Sequence, residues 1–166
     1  VEMVENGLGT HNPKLMTFST LVTATQHMYP NLRSKKDLEA RSDWATAFWM
    51  AAALTLPNDP WKVVSKKERD RQRQEDLTVT GVAIQALGLI ARDLYTEGVP
   101  IEDLFKRLSR LKDINWRREE PLWRERGVTQ IGAKGSPIVQ NTRTTVDACH
   151  RVLREFLGVV PEAASV

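Results

Sequence analysis

The chain reads as an all-α protein: a single orthogonal domain of about six helices, with an irregular Trp/Arg/Gly-containing segment before the last one. Three observations predict this. Apolar residues recur at three- and four-residue spacing over long stretches. Helix-capping residues and prolines punctuate those stretches where helices would begin and end. Strand-type alternation is almost absent, and no β-α-β rhythm is present.

Residues 1–13 read as an irregular leading segment, with Gly7, Gly9 and the turn-prone Asn12-Pro13. A first helix is expected over 15–28, with Leu15, Phe18, Val22 and Thr25 on a narrow face and Pro30 beyond its end. Ser34 is the expected N-cap of a second helix reaching Thr55. Trp44, Phe48, Ala51 and Ala52 share one of its faces, while Trp49 and Met50 lie elsewhere. A helix apolar nearly all round is expected to be central. Pro57-Asn58-Asp59-Pro60 breaks the chain after it.

Ser65-Lys66-Lys67-Glu68 matches a capping box. The polar stretch 66–76 that follows suits either a solvent-facing helix or a loop. The clearest helix spans 79–95, where Val79, Val82, Ala83, Ala86, Leu87, Ile90, Ala91 and Leu94 keep the period for over four turns and Gly98 stands at the end. Pro100 then opens a helix with Glu102 and Asp103 in its first turn and Ile101, Leu104, Phe105, Leu108 and Leu111 on its apolar face.

Residues 113–139 carry Trp116, Pro121, Trp123, Gly127, Gly132, Gly135 and Pro137. A short turn over 121–126 and a brief strand pairing by 128–131 or by 138–139 are the regular structure expected there. The last helix runs over 142–157, with Val146, Cys149, Leu153, Phe156 and Leu157 inward and Gly158 closing it.

The 166 residues suit one domain. The first residue is Val1 and no signal peptide is evident, so the expectation is the C-terminal part of a longer protein. The most apolar stretch, Trp44 to Leu56, is short of the roughly 20 residues of a membrane span. One cysteine, Cys149, excludes an internal disulfide and fits a cytoplasmic setting.

The net charge of +3 is unevenly spread. Residues 62–73 hold six basic and two acidic side chains, and residues 106–134 hold nine and four, so together they carry +9 and leave −6 for the rest. This polarisation suits a polyanion, and equally two solvated, salt-bridged faces. The candidate phosphate contacts are Lys62, Lys66, Lys67, Arg69, Arg71 and Arg73 in the first segment. In the second they are Arg110, Arg117, Arg118, Arg124, Arg126 and Lys134. Arginine favours bidentate phosphate contact. Trp116 and Trp123 either fill the core or stack on bases, and burial is the favoured reading for side chains of this size.

Catalytic signatures are absent: there is no P-loop and no Gly-x-Ser-x-Gly elbow. His11, His27 and His150 are scattered, so no metal site or cofactor is expected. Cys149-His150 are helix neighbours about 100° apart and do not make a facing pair. The adjacent acid pairs suit helix N-termini rather than catalysis.

Several segments resemble the DndB-type, DGQHR-containing family of DNA sulfur modification proteins. They are Asn12-Pro13-Lys14-Leu15-Met16-Thr17-Phe18-Ser19-Thr20-Leu21, Phe48-Trp49 with Trp61-Lys62-Val63-Val64, and Gly81-Val82-Ala83-Ile84-Gln85-Ala86-Leu87-Gly88. Ile114-Asn115-Trp116-Arg117-Arg118 with Trp123, and the closing helix over 142–158, complete the series. Their order over about residues 12–159 carries the likeness. Glu120 departs from the Asn-like residue expected before the second tryptophan, and the DGQHR motif itself is absent. The resemblance implies a helical, non-enzymatic DNA-binding accessory or regulatory protein of bacterial phosphorothioation. Its expected partners are DNA, other modification proteins and a second copy of itself, without a membrane. The alternatives are a helical protein–protein or dimerisation module, and a scaffold for an enzyme site outside these residues.

Overall fold

The computed structural model describes residues 18–29, 35–62 and 64–159. The expected leading segment, the first turn from Leu15, Pro30 and the Ser34 cap lie outside them. The all-α reading holds. Among the described residues the helices are α1 (Phe18–Met28), α2 (Lys35–Thr55), α3 (Lys66–Glu75), α4 (Gly81–Thr96), α5 (Leu104–Leu108), α6 (Pro121–Glu125) and α7 (Arg143–Leu157). 3-10 turns at Ile101–Asp103 and Ser109–Asp113 flank α5. Among the same residues a small sheet pairs β1 (Gln130–Ile131) with β2 (Pro137–Ile138), antiparallel, Gln130 opposite Ile138. It draws on both segments in which the sequence suggests brief pairing and joins them to each other.

α4 is the centre. Ten of its sixteen residues are buried, and α1 and α7 both pack on it. Its start is set by Thr80, whose hydroxyl accepts the Ala83 N–H at 3.2 Å, so the helix begins two residues later than periodicity suggests. Gly98, at φ +73°, closes it as expected: its N–H reaches Tyr95 O and that of Val99 reaches Leu94 O, both at 3.0 Å. Gly158 closes α7 in the same way, at φ +64°.

The close approach of α1 to α4 depends on Gly88. A Cβ built there would stand 2.2 Å from the carbonyl oxygen of Ala24, so only glycine lets the two backbones meet. On the other side, Asp93 of α4 holds α7. Its carboxylate lies 2.7 Å from His150 Nε2, 3.4 Å from Arg154 and 3.3 Å from Arg92. Burial pushes the Asp93 carboxyl up, but the His150 hydrogen bond and the nearby charges outweigh it and hold it below the usual aspartate range.

Two expectations are corrected. α2 is not central: Asp43, Thr46, Met50 and Leu54 face solvent, because α4 occupies the middle and α2 packs instead on α5 and its flanking 3-10 turns along one side. The segment after Pro100 is not one helix with a five-residue face. It is a 3-10/α/3-10 run that buries Leu104, Leu108 and Leu111 and leaves Ile101 and Phe105 46% and 55% exposed. Packed on its neighbours along one side, it covers a narrow strip only.

Tryptophan indoles tie down the irregular backbone. Trp44 donates to Val99 O at 2.8 Å, Trp61 to Thr78 O at 3.1 Å, Trp116 to Leu111 O at 3.0 Å and Trp123 to Asn115 O at 2.8 Å. Trp116 and Trp123 are both buried, with ring centroids 5.5 Å apart. Cys149 is fully buried and burial pushes its thiol up to about 12, which makes it a core residue rather than a nucleophile.

Gly88→Ala is expected to destabilise the fold by about 3 kcal/mol, an overpacking cost at the top of the usual range because a backbone carbonyl must move; urea unfolding measures it. Asp93 contributes stability that is complete above the unfolded aspartate pKa of about 3.9 and is lost as pH falls through its lower folded-state value. Thermal melts of wild type and Asp93→Asn should therefore differ most near neutral pH and converge as the pH falls through the folded-state value of Asp93. A gap that persists there would show that the charge of Asp93 is not what matters.

Candidate nucleic-acid interface

The two basic segments meet. α3 forms because Ser65 caps it, its hydroxyl accepting the Glu68 N–H at 3.3 Å. It ends at a seam with residues 115–118. Leu77 N–H donates to Trp116 O at 2.9 Å and Arg118 N–H to Glu75 O at 2.8 Å. Asp76 and Arg117 form an antiparallel bridge. The buried Trp116–Trp123 pair behind this seam holds it against the core.

The candidates fall into three groups. Lys62, Lys66, Lys67, Arg110, Arg124 and Lys134 are exposed, and none makes an ion pair among the described residues. Arg71, Arg117 and Arg126 are exposed but engaged. Arg71 lies 2.7 Å from Glu68 and 3.9 Å from Glu75. Arg117 lies 2.9 Å from Glu119 and 3.3 Å from Glu75. Arg126 reaches Glu155 on α7 at 2.8 Å. The third group is buried in whole or part.

Arg69 belongs to that third group and is a correction. It is 2% exposed. Its guanidinium donates to Pro60 O at 2.9 Å, Lys62 O at 2.6 Å and Gln72 Oε1 at 2.7 Å. These carbonyls belong to the turn where Asn58 and Asp59 adopt φ +62° and +45°, left-handed values that Asn and Asp tolerate better than most. Arg69 is thus a clamp between α3 and the turn, and burial draws its guanidinium below the usual arginine range. Arg118 is half-buried, its Nε 3.5 Å from Asp76 O, and is lowered for the same reason. Arg73 is half-buried and also lowered by burial.

An open groove of about 470 Å³ runs along the seam between α3, the Pro57-Asn58 turn and residues 114–117. Glu68, Glu75 and Asp76 line it together with Arg71 and Arg117. Its acids outnumber its bases, so the groove itself is not a cationic channel. Lys106 and Lys112, in the second basic segment, are also exposed and extend its cationic surface beyond the expected contacts. So does Arg151 on the outer face of α7; the helical period places it opposite the buried stripe, but it lies outside any charge run.

Among the described residues no group of three or more His, Cys, Asp or Glu is placed to hold a metal. No helix among them is long and apolar enough to cross a membrane.

A family model described as DndB, DNA-sulfur modification-associated, matches residues 1–160. No curated protein and no solved structure matches the chain.

Arg69→Ala is expected to lose about 2–4 kcal/mol of stability, because the buried Pro60 carbonyl and the partly buried Lys62 carbonyl lose their donor. Lys66→Glu/Lys67→Glu should leave stability within about 0.5 kcal/mol, as exposed substitutions usually do. Chemical denaturation of the two variants separates the clamp from the surface.

Proposed function

The chain belongs to the DndB family of DNA-sulfur modification-associated proteins, and on that premise we propose that it is a non-catalytic, cytoplasmic DNA-binding accessory protein of phosphorothioation that regulates the modification genes. The observation that carries the DNA contact is the seam. It sets α3 beside residues 115–118, so the two cation-rich segments are contiguous.

Exposed Lys62, Lys66, Lys67 and Arg124 supply charge without an acid partner among the described residues. Arg71 and Arg117 add to it by exchanging a surface carboxylate for a phosphate. Exposed ion pairs are worth only about 0–1 kcal/mol, so such an exchange costs little. Binding of this type neutralises phosphates and releases counterions.

A second reading, an interaction or dimerisation module, is favoured by exposed apolar side chains on neighbouring elements. Met50 and Leu54 of α2 are 61% and 69% exposed, and Ile101 and Phe105 flank the start of α5, which packs on α2. Trp49 and Trp61 are half-buried and pack on each other at 5.9 Å, so they add little to this apolar surface.

The variant Lys66→Glu/Lys67→Glu/Arg71→Glu is expected to weaken duplex DNA binding at least tenfold in low salt. The slope of log affinity against log salt should become shallower by about 0.9 for each phosphate that the variant no longer neutralises. A gel-shift titration at several salt concentrations reads both. Unchanged affinity with an intact fold refutes the α3 contact. A mass that doubles with concentration in light scattering, and falls to the monomer in Phe105→Glu, would favour the second reading.

A further inference from the structure

A second cleft, of about 680 Å³, lies between α1, α4 and α7, away from α3. Its size is within the range of about 300–1,000 Å³ usual for small-ligand sites. Each helix turns a polar stripe into it at helical spacing: Ser19, Thr23 and His27 from α1, Gln85 and Arg92 from α4, and Arg143, Asp147 and His150 from α7, where Asp147 lies 3.9 Å from Arg143 and balances its charge. Helices packed on one another ordinarily fill such a space with apolar side chains. Here Leu89 and Val146 alone supply an apolar floor.

Charge selects the occupant. The Asp93 carboxylate does not line the cleft; it is held by His150, Arg92 and Arg154. Neither arginine has another acid partner among the described residues. The cluster therefore retains one positive charge with His150 neutral, and two with it protonated. Partly buried excess charge is costly unless a counter-charge meets it. The two members that face the cleft are Arg92, 41% exposed at its side chain, and His150, only 9% exposed. At the same cleft Gln85 Nε2 donates to Asn141 Oδ1 at 3.2 Å, so side-chain amides with spare donor and acceptor capacity share it.

We propose that this cleft binds a phosphate monoester of mononucleotide size. The phosphate meets Arg92 at the edge of the His150–Asp93 pair, and the rest of the ligand lies over Leu89 and Val146 beside the Gln85–Asn141 amides. The site uses none of the candidate DNA contacts, so it stands or falls apart from the duplex-binding surface.

Equilibrium dialysis of the full chain against 2′-deoxyadenosine 5′-monophosphate tests it, with 2′-deoxyadenosine and inorganic phosphate as further arms. The expected result is saturable binding of the monophosphate, competition by inorganic phosphate, and binding of the nucleoside at least tenfold weaker. Arg92→Gln and Gln85→Glu should each weaken the monophosphate at least tenfold with thermal melts intact, and Lys66→Glu/Lys67→Glu should leave it unchanged. Absence of saturable binding, equal binding of the nucleoside, or full affinity in a folded Arg92→Gln overturns the proposal. Loss of duplex binding in Arg92→Gln without any monophosphate binding also overturns it, and makes the cleft part of the DNA surface.

Discussion

The structure hangs on one close approach, the backbone of α1 against α4 at Gly88. With 2.2 Å between the Ala24 carbonyl and a hypothetical Cβ, no other residue keeps α1 where it is. Placing α1 there leaves α7 the opposite flank of α4, and Asp93 fastens it. Once both flanks are taken, α2 has no central position available and settles with one side in water. The polar cleft is a consequence of the same geometry, since it is the space that α1 and α7 leave over the Gln85–Arg92 face of α4.

Both ends of α4 are then secured by indoles that come from elsewhere in the chain. Trp61 grips the turn before the helix through Thr78 O, and Trp44 grips the turn after it through Val99 O. Trp116 and Trp123 do the same for the irregular stretch that follows α5. A long non-helical segment carries many carbonyls and amides that must find partners when buried. A tryptophan fills volume and supplies a donor at once. That is how 115–129 is ordered with so little regular structure, and why the seam with α3 has a firm backing.

Legibility follows the strength of local signals. α4 and α7 are readable because their apolar stripes run for several turns and glycines with positive φ end them. α3 is readable from Ser65 and Glu68, although its polar sequence leaves a loop equally open. What fails is everything that depends on a distant partner. Arg69 looks like any other cation in a charged run, and nothing local says that the Pro60 and Lys62 carbonyls will be turned toward it. Ile101 and Phe105 carry the correct period, but the width of an apolar face is decided by how much neighbour is there to cover it. His150 invites comparison with Cys149, its neighbour in sequence, when its partner is Asp93, fifty-seven residues away.

The same distinction governs the charge. A run of basic residues counts formal charge, whereas a polyanion meets only the charge that is exposed and not already answered. Arg69 is answered by backbone carbonyls and Arg126 by Glu155, while Arg71 and Arg117 share Glu75. What remains open on and around α3 is largely lysine: Lys62, Lys66 and Lys67, with Arg124 on α6. Lysine offers a point charge without the fork that reads a guanine edge or grips a phosphate in two places. Contacts of that kind hold a duplex by its backbone and carry no base information of their own. On the proposed reading, α3 and its neighbours supply affinity, and discrimination between DNA sequences belongs to groups outside this set.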